Sequence, residues 1–312
     1  MRALFFGTPA IAVPALSALA EIADIRAVVC QPDRPAGRGL TLTPPAVKLR
    51  ALELGLHVEQ PLKVRTPGFA DLIRSFQADV ALVIAYGRIL PPAILEAPRV
   101  GCINLHASLL PKYRGAAPIT WAIVRGESET GISVMQMDEG MDTGPVFTTT
   151  AIPIGPETTA DELGVALGLL AADLVARDLP RIVRGELMAT PQDHATMTLA
   201  PILDKEHGRI NFTAGARAVH DHVRGMTPWP GAFTTASGKT LKILESRIGP
   251  ASDSTVTAPP GTILQATKQG IDVACGEGTL RVLRAQLEGR KPLGAAELVG
   301  GRALHEGQLL GP

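Results

Sequence analysis

The sequence is poor in cysteine, in aromatic side chains and in net charge. Its three cysteines, Cys30, Cys102 and Cys275, are odd in number and far apart. No pair has the spacing of a zinc or redox motif. The expectation is reduced thiols, with Cys102 a small buried apolar residue. The formal net charge is zero, so bulk electrostatics supply no attraction to nucleic acid or to a lipid surface. No apolar run is long enough to span a bilayer. A basic start followed by a long apolar segment is missing too, because Arg2-Ala3-Leu4-Phe5-Phe6-Gly7 already reads as a strand. These absences predict a cytoplasmic chain with no membrane association. No internal repeat is present.

What is there is ample core material. Hydrophobic residues make up 46% of the 312 residues and charged residues 19%, a globular composition with room for two domains. The zero balance hides an asymmetry. From Lys205 onward there are 13 Lys+Arg against 9 Asp+Glu, while residues 1–204 hold 17 against 21. The C-terminal part is therefore better suited to meeting a polyanion.

Short runs rich in Val, Ile and Leu occur at 2–7, 25–30, 79–85, 100–105 and 131–137. Helical stretches lie between and after them, near 10–21, 44–54, 67–75, 115–125 and 158–185. Such alternation predicts an α/β domain with a Rossmann-like, mostly parallel sheet covered on both faces. Ligands bind such sheets at the carboxyl ends of the strands. Beyond a helix near 213–225, alternating runs at 231–235, 240–246, 261–266, 270–275 and 279–286 predict a small antiparallel β-barrel of OB-like type. The Pro/Ser/Thr-rich stretch 249–261 reads as a mobile loop. The expected division is a catalytic domain over 1–187, a linker over 188–206 and a C-terminal barrel domain over 207–312.

Two stretches carry the candidate chemistry. In the run Val100-Gly101-Cys102-Ile103-Asn104-Leu105-His106, a strand delivers Asn104 and His106 to its carboxyl end. Residues i and i+2 of a strand face one side, so an amide and an imidazole point at one spot. Asp138-Glu139-Gly140-Met141-Asp142-Thr143-Gly144 follows the strand expected at 131–137. It must loop over the same sheet edge, which makes Asp142 the candidate partner of His106.

Together these stretches resemble the folate-dependent formyltransferase family. Asn104, His106 and Asp142 match its catalytic Asn, His and Asp. Ser108-Leu109-Leu110-Pro111-Lys112-Tyr113-Arg114-Gly115 is similar to its folate-site loop, with Ser108, Leu109, Leu110 and Pro111 against the carrier. Ala85-Tyr86-Gly87-Arg88-Ile89-Leu90-Pro91 resembles one wall of the pterin pocket, which implicates Tyr86, Gly87, Ile89 and Leu90. Three further stretches extend the likeness to the whole chain, within the branch that acts on methionyl initiator tRNA. They are Phe6-Gly7-Thr8-Pro9, the glycine- and arginine-containing run Gln31 to Gly39, and Thr227-Pro228-Trp229-Pro230-Gly231.

The resemblance implies formyl transfer from 10-formyltetrahydrofolate to an α-amino group. An α-amino group has a pKa near 8, so a useful fraction is neutral at pH 7 and needs no enzyme nucleophile. The tetrahedral intermediate carries a negative oxygen, for which the Asn104 amide and a protonated His106 are the expected donors. Asp142 would favour the imidazolium and manage the proton leaving the amine. No metal or redox cofactor is implied, and a monomer is expected.

In the resembling family the loop at 31–43 reaches the acceptor stem of the tRNA. Arg38 would be its main contact and Arg34 a second. Here the chain departs from the pattern, because Leu40-Thr41-Leu42-Thr43 stands where lysines often follow the Arg-Gly. Phosphate contacts in the C-terminal part would come from Lys239, Lys242, Arg281, Arg284, Arg290 and Lys291. His220 and His222 are expected as surface histidines on a helix, and Trp229 as a core plug. Alternatives are formyl transfer to an amino-sugar nucleotide or glycinamide ribonucleotide, hydrolysis of formyl-folate, and a non-catalytic tRNA-binding protein. A dinucleotide-dependent oxidoreductase is disfavoured, because Gly7-Thr8-Pro9 lacks the three-glycine phosphate turn.

Overall fold

Residues Ala3 to Phe6 are all apolar and all buried. A strand apolar on both faces must lie inside a covered sheet. Arg2–Gly7 accordingly runs through the interior of a seven-stranded sheet. The strand order is Val146–Pro153, Glu129–Gln136, Cys102–His106, Val80–Ile84, Arg2–Gly7, Asp24–Val29 and Val58–Glu59. From Cys102–His106 through to Val58–Glu59 every pairing is parallel. Cys102–His106 meets Glu129–Gln136 antiparallel. The computed structural model describes residues 1–36, 41–250 and 258–311.

The helices follow their local signals. Pro67–Ser75 starts at Thr66, whose hydroxyl oxygen accepts the Phe69 N–H at 3.3 Å, and Pro67 fills the first helical position. Its Phe69, Ala70 and Ile73 pack with Leu4, Phe6, Ala27 and Val29 of the sheet. Burial of each large side chain of this kind contributes roughly 1.5–3 kcal/mol. Ala160–Val183 begins at a capping box. Thr159 Oγ1 accepts the Glu162 N–H, and the Glu162 carboxylate accepts the Thr159 N–H at 2.9 Å.

The chain forms two compact units. The first holds Met1–Pro118, Thr130–Ile152 and Gly164–Ala200. The second holds Ile119–Glu129, Pro153–Leu163 and the residues from Pro201 onward. The sheet of the second unit is antiparallel, in the order Ala232–Ala236, Lys239–Ile248, Thr279–Leu287, Gly270–Ala274 and Ile263–Thr267. Its inward residues, including Leu241, Ile243, Val273 and Val282, pack with Val219 and Val223 of helix Ala216–Gly225. Residues 308–311 join the two edges of this sheet. Ile263 N–H donates to the Gln308 carbonyl at 2.8 Å, and Gly311 N–H donates to the Thr235 carbonyl at 3.1 Å. This segment covers part of both edges.

Several segments differ from the sequence expectation. Val146–Pro153 is a strand that was not foreseen. Its sequence is threonine-rich and its residues alternate in exposure, as on an edge strand. The stretch 31–43, expected as a loop, contains the antiparallel pair Arg34–Ala36 and Thr41–Thr43. The helix expected from 115 starts at Pro118. Within the stretch expected as a linker, Leu199–Ala200 pairs in parallel with Arg114–Gly115. Residues 251–257 of the expected loop 249–261 lie outside the described residues.

Candidate active site

The site forms where the sheet changes sense. Register places Asn104 between Val83 and Met135, and His106 beside Ser133. Asn104 and His106 are both buried, and their i, i+2 spacing projects them to the same side of the sheet. Among the described residues the Asn104 side chain makes no hydrogen bond.

The chain after His106 folds back on itself. Ser133 Oγ donates to the Ser108 carbonyl at 2.7 Å and accepts the Leu110 N–H at 2.9 Å. Ser108 Oγ donates to the Lys112 carbonyl at 2.6 Å. Tyr113 then adopts a left-handed φ of 61° and Gly115 a φ of 123°. A Cβ on Gly115 would meet the Ala200 carbonyl oxygen at 2.6 Å, so only glycine fits. This path aims the Tyr113 carbonyl and the Gly115 N–H at the end of the strand.

His106 Nε2 donates to the Tyr113 carbonyl at 2.9 Å. A carbonyl can only accept, so Nε2 carries hydrogen in either protonation state of the ring. Nδ1 is left to face Asp142 Oδ2, 3.6 Å away. The same oxygen accepts the Gly115 N–H at 2.8 Å. Asp142 itself has φ +55°, a conformation that aspartate tolerates better than most residues. Asp138 tightens the turn by accepting from the Gly140 N–H at 3.1 Å and the Thr143 hydroxyl at 2.7 Å.

A cleft of about 140 Å³ opens beside Asp142, lined by Arg88, Ile89, Leu90, Met135, Met137 and Met141 among others. A hollow of about 580 Å³ shares Ile89, Leu90 and Glu139 with it. Gly87 is exposed, Ile89 is 67% exposed and Leu90 is buried. Tyr86 is buried with its ring edge-on to Phe6, the centroids 5.3 Å apart. Burial pushes its phenol up to about 12. Its carbonyl accepts from Thr8 Oγ1 and from Gln31 Nε2, each at 3.1 Å. Ser108 is buried, whereas Leu109, Leu110 and Pro111 are half-buried.

A chain of polar contacts runs away from this cleft. Arg88 Nε donates to Gln31 Oε1 at 3.0 Å, and Gln60 Nε2 donates to the Gln31 carbonyl at 2.8 Å. Gln60 also donates to Asp33 Oδ1 at 2.8 Å, and Lys48 Nζ donates to Asp33 Oδ2 at 2.7 Å. The Lys48 and Gln60 hydrogen bonds hold the Asp33 carboxyl below the usual range. Asp33 immediately precedes the hairpin that carries Arg34, which is exposed. Arg38 lies outside the described residues.

Some expectations fail in the second unit. His220 is not a surface residue. It is buried, accepting or donating at Nδ1 to Ser246 Oγ at 3.0 Å and donating from Nε2 to the Pro156 carbonyl at 3.0 Å. His222 is half-buried, and its Nε2 is buried with no partner among the described residues. Burial holds its pKa down. Trp229 is 56% exposed, so it is not a core plug. Arg281 is taken by Asp272 through two contacts of 2.7 Å. Lys239, Lys242, Arg284, Arg290 and Lys291 are exposed. Among the described residues no group of His, Cys, Asp or Glu is arranged to hold a metal ion. No helix among them is long and apolar enough to cross a membrane.

Sequence spacing missed the supporting residues of the site. Ser133, the Tyr113 carbonyl and Gln192, whose Nε2 donates to the Asp142 and Gly144 carbonyls, bear on it from far along the chain or through backbone atoms. Ser133, a polar residue inside the apolar stretch Ile132–Met135, was the visible signal.

A strand-end amide and imidazole facing a carboxylate across a loop, on a mostly parallel sheet followed by an antiparallel one, define a class. The chain belongs to the formyl transferase family. The family's formyl transferase model matches residues 1–173, and the model of its C-terminal domain matches residues 202–303. Over 311 residues the chain is 65% identical to the methionyl-tRNA formyltransferase of Sorangium cellulosum (strain So ce56), and the match covers 100% of both chains. It is 47% identical to the protein of that name from Myxococcus xanthus (strain DK1622), covering 98% of this chain and 96% of that one. Among solved structures, the methionyl-tRNA formyltransferase from Clostridium thermocellum superposes with a TM-score of 0.54 at 17% identity, covering 89% of this chain and all of that one. The sugar 3N-formyltransferase WlaRD gives a TM-score of 0.67 at 16% identity, covering 93% of this chain and 99% of that one. At such identities the two structures speak for the fold.

Proposed function

We propose that this chain transfers the formyl group of 10-formyltetrahydrofolate to the α-amino group of methionyl initiator tRNA, and so serves the start of protein synthesis. The chemistry rests above all on the placement of His106, held by the Tyr113 carbonyl on one side with Nδ1 facing Asp142 on the other. The choice of acceptor rests on the full-length likeness to relatives that carry that activity in their names.

The neutral amine attacks the formyl carbon. A new C–N bond forms, a tetrahedral carbon with one negative oxygen results, and the bond to the folate nitrogen then breaks. The Asn104 amide and His106 Nδ1–H donate to the negative oxygen, which is worth most in a site that excludes water. Nδ1 takes this role because Nε2 is committed to Tyr113. The Asp142 carboxylate, 3.6 Å from Nδ1, accepts the proton that leaves the amine, and this proton returns to the folate nitrogen. The apolar cleft beside Asp142, with Ile89 and Leu90 on one wall and Leu109 to Pro111 near the strand end, takes the flat pterin. Ser108 shapes that loop through its hydroxyl bond to Lys112, and Tyr86 and Gly87 offer backbone groups at the ring edge. Arg34 and Arg38 meet the acceptor stem, and the exposed lysines and arginines of the second unit meet phosphates.

The test is formylation of methionyl initiator tRNA by the purified protein with 10-formyltetrahydrofolate. Parallel reactions contain free methionine, an amino-sugar nucleotide, or no acceptor. The expected result is formyl-methionyl-tRNA only, with a loss on the order of a hundredfold or more in His106→Ala. Turnover with the sugar nucleotide alone, or with no acceptor, would keep the chemistry and overturn the acceptor.

A further inference from the structure

Asp142 needs more than its own turn to keep it in place. With φ at +55° it sits in the left-handed region, at a cost of roughly 1–2 kcal/mol. The turn is also pressed against the sheet, since a Cβ on Gly144 would lie 1.9 Å from the Gln136 carbonyl oxygen. A turn that is both strained and exposed on one side will relax unless something holds its backbone.

Gln192, fifty residues further along the chain, does so. Its Nε2 donates to the Asp142 carbonyl at 2.9 Å and to the Gly144 carbonyl at 2.7 Å. Its Oε1 accepts from Arg114 Nε at 3.2 Å and from Arg114 Nη2 at 2.6 Å. Both amide hydrogens and both lone pairs are thereby used. The amide cannot be reversed, because a flip would set oxygen against two carbonyls and NH2 against a guanidinium. Arg114 is itself buried, and its Nη1 donates to His194 Nδ1 at 3.1 Å. The backbone around Gln192 is tied to both loops of the site. Val146 and Thr190 exchange hydrogen bonds of 2.9 and 2.8 Å, and Arg114 N–H donates to the Thr198 carbonyl at 2.9 Å.

We infer that Gln192 is a positioning residue that fixes the Asp142 carboxylate against His106 and the Gly115 N–H, an inference that rests on the reading of Asp142 given above. Proton-transferring groups must be held to within about half an ångström of their working geometry. Displacements approaching 1 Å cost up to about a hundredfold in rate. Gln192 does not line the cleft beside Asp142, so its effect should fall on turnover and not on binding.

The test uses the full-length protein and steady-state formylation of methionyl initiator tRNA. Gln192→Met keeps the volume and removes both donors. Its kcat should fall about tenfold, with KM for donor and acceptor within about twofold. Gln192→Glu keeps the acceptor side toward Arg114 and should show the same fall in kcat. It serves if the methionine variant does not fold by circular dichroism. Placed in an Asp142→Asn background, Gln192→Met should cost less than about twofold more. Wild-type kcat in both Gln192 variants, or a loss carried by KM instead of kcat, would overturn the inference while leaving the Asp142 reading intact. A full tenfold additional loss in the Asp142→Asn background would also overturn it, by showing that Gln192 acts elsewhere. Full activity of Asp142→Asn alone would overturn the reading of Asp142, and the inference with it.

Discussion

Each unit of the molecule buries a histidine among polar groups, and the two clusters are finished differently. In the second unit the cluster around His220 is closed by hydrogen bonds. His220 is bonded at both nitrogens, and Arg224 donates to Asp221 at 2.8 Å and to the Gly155 and Thr158 carbonyls. In the first unit the supports are equally dense around the loops, but the centre is open. The Asn104 amide has no partner among the described residues, and His106 Nδ1 stands 3.6 Å from its carboxylate. Saturation is what a cluster needs to hold a fold together. Donors left open in a rigid frame are what it needs to hold a reacting atom.

That contrast can be broken by two substitutions. His106→Ala should lose a hundredfold or more in formylation rate, with a fall in melting temperature smaller than that of Asp221→Ala. Asp221→Ala should do the reverse. It leaves the Arg224 guanidinium, 6% exposed, without its carboxylate, at a cost of about 3 kcal/mol. Thermal melts beside initial rates check both, and an Asp221→Ala variant that is stable but inactive would erase the distinction.

A smaller effect is expected at Asp178, a buried carboxylate of the first unit. Burial opposes its ionisation, but bonds from Arg177 at 2.8 Å and from the Thr148 hydroxyl at 2.8 Å outweigh this, and its pKa is held below 3.8. A depressed carboxylate stabilises the fold above its ordinary pKa, and the contribution is lost as pH falls through the folded value. Asp178→Asn should therefore cost about 1–2 kcal/mol at neutral pH, and the difference from wild type should close below about pH 3.8 in denaturant titrations. The smallest effect is expected at His222, whose pKa burial holds below 6.5. Its neutral form favours the fold fully above that value, and stability should decline as pH falls from about 6.5 toward the depressed one. His222→Gln should flatten that decline in melts recorded at successive pH values.

The sequence runs at 2–7, 79–85 and 279–286 fall within a residue or two of Arg2–Gly7, Val80–Ile84 and Thr279–Leu287. Continuous apolar runs bounded by turn residues leave little choice of structure. Val146–Pro153 went unread because an edge strand whose residues are half-buried or exposed need not be apolar. Asn104, His106 and Asp142 were legible because their spacing relative to strands fixes where they emerge. Gln192 was not, since it reaches the site through the Asp142 and Gly144 backbone carbonyls, which carry no side-chain signature. His220 misled for a related reason, because its burial is set by the loop at 153–159 and not by its own helix.

The polar chain from Asp33 through Gln60 and Gln31 to Arg88 bears on how this protein can be altered by selection. The hairpin after Asp33 and the wall of the cleft share a frame of side-chain amides, so neither is an independent module. A population selected for changes within residues 31–43 should accumulate second-site changes at Gln60, Gln31 or Arg88 before those at more distant surface positions. Grafting that hairpin onto a relative should preserve its conformation only when those three side chains travel with it.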